Sequence, residues 1–80
     1  MDGELTFKTA VSLKGHDLDR RYVVIKVVSG DFVLVADGKY RKLDNPKLKR
    51  IKHLRVDGDS GLTEKGLTDA KLRRALKDSD

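Results

Sequence analysis

The run Tyr22-Val23-Val24-Ile25-Lys26-Val27-Val28 constrains this chain more than any other segment. Its β-branched side chains are stiff at χ1 and suit a pleated strand better than a helix. A second apolar run, Phe32-Val33-Leu34-Val35-Ala36, follows after Ser29-Gly30-Asp31. The pair Asp37-Gly38 then separates it from Lys39-Tyr40-Arg41-Lys42-Leu43. An Asp-Gly pair between two strand-like segments predicts a type I′ hairpin, whose two central residues both need positive φ. The three segments therefore read as an antiparallel meander. Lys26 assigns its parity to the outside, so Val23, Ile25 and Val27 are expected to face the core. In Phe32–Ala36 both faces are apolar, and alternation does not choose between them.

The flanking segments extend this pattern. Leu5 to Leu13 alternates, with Leu5, Phe7, Val11 and Leu13 on one parity, and reads as a half-buried strand. Lys14 to Arg21 is polar and turn-rich, a loop. Asp44-Asn45-Pro46 breaks the run, and Lys49 to Val56 returns as a last strand through Ile51, Leu54 and Val56. Exposed strand edges invite mispairing, so about five short strands are expected to close into a small barrel. The fold class is thus mainly all-β, over residues 1–56. Residues 57–66, with Gly58, Gly61 and Gly66, read as a linker. Residues 67–78 read as a helical tail. Thr68 is its N-cap, Asp69 suits the positive end of the helix dipole, and Leu67 and Leu72 have the spacing of a hydrophobic staple. Leu72, Ala75 and Leu76 form its apolar stripe. The proposed core lies before Asp57, so the tail is expected to be dispensable for folding.

Eighty residues make one small domain. The 38% apolar content rises to about 47% with the seven glycines, the usual share for a folded domain. Without cysteine there is no disulfide and no thiolate metal site. No apolar run approaches the roughly 20 residues that span a bilayer. The acidic start Met1-Asp2-Gly3-Glu4 does not read as a signal peptide. A soluble, cytoplasmic monomer is the expectation.

Catalytic and metal chemistry find little support. His16 and His53 are the only histidines, and their spacing fits no compact zinc motif. His53, between Ile51 and Leu54, reads as a packed or hydrogen-bonded strand residue. Asp57-Gly58-Asp59-Ser60-Gly61 fails as a calcium loop, because its sixth position is Leu62 and its twelfth is Thr68. No nucleophile elbow, Walker loop or dinucleotide fingerprint is present. No enzyme activity and no cofactor are expected.

Charge is more informative. The net charge is +5, but residues 39–55 hold Lys39, Arg41, Lys42, Lys47, Lys49, Arg50, Lys52 and Arg55 against the single acid Asp44. That window carries +7 and the remainder −2. Such asymmetry is the electrostatic footprint of a polyanion binder. A membrane surface is a poorer partner, since Pro46 interrupts the segment and no amphipathic helix runs through it.

The sequence from Val11 to Leu54 resembles KOW-domain RNA-binding proteins. The resemblance is carried by Phe32 to Lys42, Asn45-Pro46-Lys47 and Lys52-His53-Leu54. It covers a little over half the chain. More narrowly, the segment looks like small bacterial members that are similar to KOW-containing large-subunit ribosomal proteins. The resemblance implies an SH3-like β-barrel of the KOW type, whose KOW loop and adjacent basic strands contact RNA, and a ribosome-associated role. Two positions depart from the family. Asp19 stands where the loop normally carries a glycine, a position that suits a left-handed backbone, which Asp can also adopt. His16 stands where relatives often carry arginine, which weakens the loop as a phosphate contact.

The expected function is binding of structured RNA, ribosomal RNA foremost, through phosphates. The expected contacts are Lys14, Arg20 and Arg21 from the loop and Lys39, Arg41, Lys42, Lys47, Lys49, Arg50 and Lys52 from the basic segment. Tyr40 offers a ring to stack on a base or to pack on the barrel. Lys65 and Lys77 are expected to take no part. The alternative is a protein-interaction module, in which the basic face or the stripe of the helix binds an acidic protein.

Overall fold

A computed structural model describes residues 5–78. The acidic start, 1–4, lies outside the described residues. The chain is mainly β with one short C-terminal helix, as expected. Strands β1 (Lys8–Ser12), β2 (Arg21–Val27), β3 (Phe32–Ala36), β4 (Lys47–Arg50) and β5 (Leu54–Asp59) form one antiparallel sheet in the order β4-β3-β2-β1-β5. Helix α1 spans Asp69–Asp78. No described helix is long and apolar enough to cross a membrane. The β2–β3 hairpin forms where the β-branched runs predict it. Its turn is closed by the amides of Val28 and Ser29 donating to the Phe32 carbonyl at 3.0 and 3.1 Å.

The sheet serves two cores, one on each face, and a bulge in β2 moves Val27 from one to the other. Val24 pairs with Val35 but Lys26 pairs with Leu34, which leaves Ile25 as an extra residue. Before the bulge, Tyr22 and Val24 join Ala10, Val33, Val35 and Leu54 in one core. Val23 points to the opposite face and joins Ala36, Leu72 and Leu76 in the other, with Ile25 against them. After the bulge the parity inverts, and Val27 packs on the first core. The expected common face of Val23, Ile25 and Val27 is therefore wrong, although Lys26 is exposed as read.

Four further expectations need correction. The segment 39–43 is not a strand. Asp37 keeps a negative φ, since Phe7 and Asp19 are the described non-glycine residues with positive φ, so no type I′ turn forms. The β3 partner is instead β4, with Leu34 opposite Leu48 and Val35 opposite Lys47. Second, Lys49 to Val56 is not one strand. The 3₁₀ turn Ile51–His53 divides it, so that β4 and β5 occupy the two outer positions of the sheet. His53 lies in that turn rather than in a strand, and Val56 is exposed. Third, β1 begins only at Lys8, because Phe7 has a φ of 65°, outside the extended region. Ala10 and Ser12 are buried, whereas Leu13 is exposed. Fourth, Asp57–Asp59 belong to β5 rather than to a linker.

Helix α1 follows its sequence signals. The Lys71 amide donates to Thr68 Oγ1 at 3.2 Å, the expected cap. Leu72 is completely buried and Leu76 nearly so, with Leu67 packed beside them. A helix this short is marginal alone and is held by this tertiary packing. The tail is thus part of the core, contrary to expectation, and its stripe is covered by its own sheet.

Candidate nucleic-acid interface

The loop between β1 and β2 is organised by a buried carboxylate. Asp17 is 4% exposed. It accepts hydrogen bonds from Ser12 Oγ at 2.9 Å, Tyr22 Oη at 2.7 Å, Lys47 Nζ at 3.0 Å and Lys49 Nζ at 2.9 Å. Burial alone would raise its pKa, but the hydrogen bonds from Lys49, Tyr22, Lys47 and Ser12 outweigh burial and hold the carboxyl well below its usual range. Burial and the neighbouring Asp17 carboxylate push the Tyr22 phenol up to about 12. Lys49 is itself buried and also donates to the Lys14 carbonyl at 3.1 Å. Lys49 is therefore a structural cation, not an open phosphate contact, and Lys47 is partly spent on the same carboxylate. Asp19, at the end of this loop, has a φ of 70°, the left-handed conformation expected for it. Its amide donates to the Ser12 carbonyl at 2.8 Å.

Arg21 is likewise engaged. A bulge in β5 leaves Asp57 as the extra residue opposite β1, between the pairs Thr9–Gly58 and Ala10–Val56. Its carboxylate accepts from Thr9 Oγ1 at 2.6 Å and from the Arg21 guanidinium at 3.1 Å.

The segment 37–46 is a pinned loop. The amides of Asp37 and Gly38 donate to the Arg41 carbonyl at 2.9 and 3.0 Å. The Asp37 carboxylate accepts from the amides of Lys39 and Arg41 at 2.9 and 2.8 Å. The helix braces the loop from outside: Asp69 Oδ1 accepts from the Leu43 amide at 2.8 Å, and Arg73 donates to the Gly38 carbonyl. The contact is close enough that a Cβ at Gly38 would sit 2.3 Å from the Asp69 carbonyl oxygen, and Gly38 has a φ of 79°. This bracing presents Lys39 and Tyr40 to solvent. Tyr40 is 62% exposed, so it stands clear of the core. The Arg20 guanidinium lies 4.2 Å from its ring centroid and the Lys39 ammonium 5.1 Å. The structure thus brings Arg20 from one loop onto Tyr40 of another.

A second group of cations surrounds the 3₁₀ turn. The His53 pKa is lowered by partial burial and then by the charges of Lys14, Lys52, Lys49 and Arg50 around it. Lys14, Lys52 and Arg50 are exposed, and the Arg50 guanidinium lies 4.9 Å from the Phe32 ring centroid. Lys42 is exposed and Arg41 half-buried. The described residues contain no cluster of His, Asp and Glu able to hold a metal.

Most of the predicted cations are thus presented at the surface, while Lys49, Lys47 and Arg21 are tied to carboxylates. The residue that sequence reading missed is Asp17. Its only local signal is an acid in a turn-rich loop, and its partners lie 30 and 32 residues away. No protein-family model matches the chain, and no curated protein matches it with significant similarity.

Proposed function

We propose that this chain is a non-catalytic RNA-binding domain on an SH3-like barrel frame of the KOW type, which engages structured RNA by its phosphates. The frame is supported by the β2-β3-β4 meander, by the single 3₁₀ turn joining the outer strands β4 and β5, and by the left-handed Asp19. The observation that carries the function is the state of the cations. Lys14, Arg20, Lys39, Arg41, Lys42, Arg50 and Lys52 have no carboxylate within ion-pair distance among the described residues. Asp17, Asp37 and Asp57, which would compete with a phosphate, are already engaged. Ribosomal RNA is the proposed target, in keeping with the family resemblance. An acidic protein partner would have to use the same cations, because the stripe of α1 is covered.

Salt dependence of RNA binding tests this reading. Each neutralised phosphate releases counterion, so about four engaged cations give a log–log slope of roughly −3 to −4. Sedimentation with ribosomal particles at low and high salt checks the target. Affinity for structured RNA no tighter than about 10⁻⁴ M at physiological salt, the weak end of non-specific binding, would overturn the reading.

A further inference from the structure

Helix α1 does more than cover the second core. Between it and the 37–46 loop runs a groove of about 430 Å³, lined by Arg21, Asp37, Lys39, Arg73, Leu76 and Lys77. Two of its charged groups have their own tasks: the Asp37 carboxylate holds the loop amides, and Arg21 is paired with Asp57. Arg73 braces the Gly38 carbonyl. Lys39 and Lys77, from opposite walls, have no carboxylate partner among the described residues. A groove with two open ammonium groups and a nearly buried leucine suits one phosphodiester.

Lys39 belongs to two features at once. It lines this groove, and its ammonium lies 5.1 Å from the Tyr40 ring centroid. Lys39 thus joins the groove to the Tyr40 ring. Tyr40 is 62% exposed, with the Arg20 guanidinium and the Lys39 ammonium over its ring. A base inside a helix has both faces covered by its neighbours, and only an unpaired, splayed base can reach an aromatic ring.

We propose that the protein grips RNA at an unpaired nucleotide, with the base stacked on Tyr40 and its phosphate seated between Lys39 and Lys77. This rests on the RNA-binding reading above and assigns to Lys77 a contact that the sequence did not suggest.

The test uses two hairpin RNAs of equal length, one fully paired and one with a single bulged fluorescent base analogue. Binding is read by anisotropy and by emission of the analogue. The bulged RNA is expected to bind roughly tenfold tighter, within the usual range for one base stacked on an aromatic ring. Tyr40→Ala should abolish both the preference and the emission change, and Tyr40→Phe should keep them. Lys77→Ala should weaken the bulged complex several-fold, and a neutral methylphosphonate beside the bulge should make that substitution silent. Lys65, in a different groove between residues 60–65 and α1, provides the control, and Lys65→Ala should change nothing. Tyr40 and Lys77 are exposed, so their variants should keep the wild-type melting curve. Equal affinity for both RNAs, or equal losses from Lys77→Ala and Lys65→Ala, would overturn the proposal while leaving RNA binding intact. Failure to bind either RNA would overturn both.

Discussion

The Lys49 ammonium lies 2.9 Å from Asp17 Oδ1, and both side chains are more than nine-tenths buried. This pair separates structural from available charge within one basic segment. Removing one partner of a buried pair leaves the other charge uncompensated. Lys49→Ala should therefore cost about 3 kcal/mol, the low end of the range because Lys47 and Tyr22 stay on the carboxylate. Lys42→Ala should leave stability within about 0.5 kcal/mol and reduce the magnitude of the RNA salt slope by about one. Urea unfolding and salt titration of the two variants check the contrast. Equal effects of both on the slope would sink it.

The same network sets a pH dependence at both extremes. Asp17 has its folded pKa depressed below 3.8, so its contribution is present above that value and lost as pH falls through the folded pKa. Tyr22 has its folded pKa raised from 10.0 to about 12, so its contribution is complete below the lower value and lost as pH rises through the upper. Melting temperature should thus fall in acid and again in strong base. Asp17→Asn should flatten the acid limb and Tyr22→Phe the alkaline one, each at a lower plateau.

Gly38 is fixed by the helix as well as by its own backbone. A positive-φ position costs a side chain roughly 1–3 kcal/mol. Here the added Cβ also meets the Asp69 carbonyl. Gly38→Ala should therefore destabilise by at least about 2 kcal/mol. It should also perturb the Leu43 amide, which hydrogen-exchange or NMR would detect through its bond to Asp69. An unchanged Leu43 amide would mean that the helix does not brace the loop.

The helix should be indispensable. Leu72→Ala empties a fully buried position and should cost about 2–5 kcal/mol. A chain ending at Val56 loses the Asp57 ties to Thr9 and Arg21 as well as Leu72 and Leu76, and should show no cooperative urea transition. Retention of a cooperative transition would return the tail to the status of an accessory.

The sequence made β2, β3 and α1 legible because each carries a local signal: β-branched density in the strands, and a cap with a staple in the helix. The register of β2 was not legible, because one extra residue at Ile25 inverts the parity without changing composition. The Asp37-Gly38 turn misled because Asp37 acts through its carboxylate on Lys39 and Arg41 rather than through a left-handed backbone. At the candidate site, the exposure of Lys39, Lys42 and Lys52 agreed with the charge pattern. The burial of Lys49 did not, since a pairing across the fold leaves no mark on local composition.

The burial of β2 on both faces also bears on how the chain acquires its fold. Val23 and Val24 are neighbours in the chain yet belong to different cores. One core is completed by Leu54 and the other by Leu72 and Leu76. During synthesis the central hairpin is therefore made long before either of its faces can be covered. The Val23 face of the nascent β2 stays uncovered until the last turns of α1 emerge, and transiently exposed apolar surface of this kind favours aggregation. The core closed by Leu54 is thus complete in the emerging chain before the one that waits for Leu72 and Leu76.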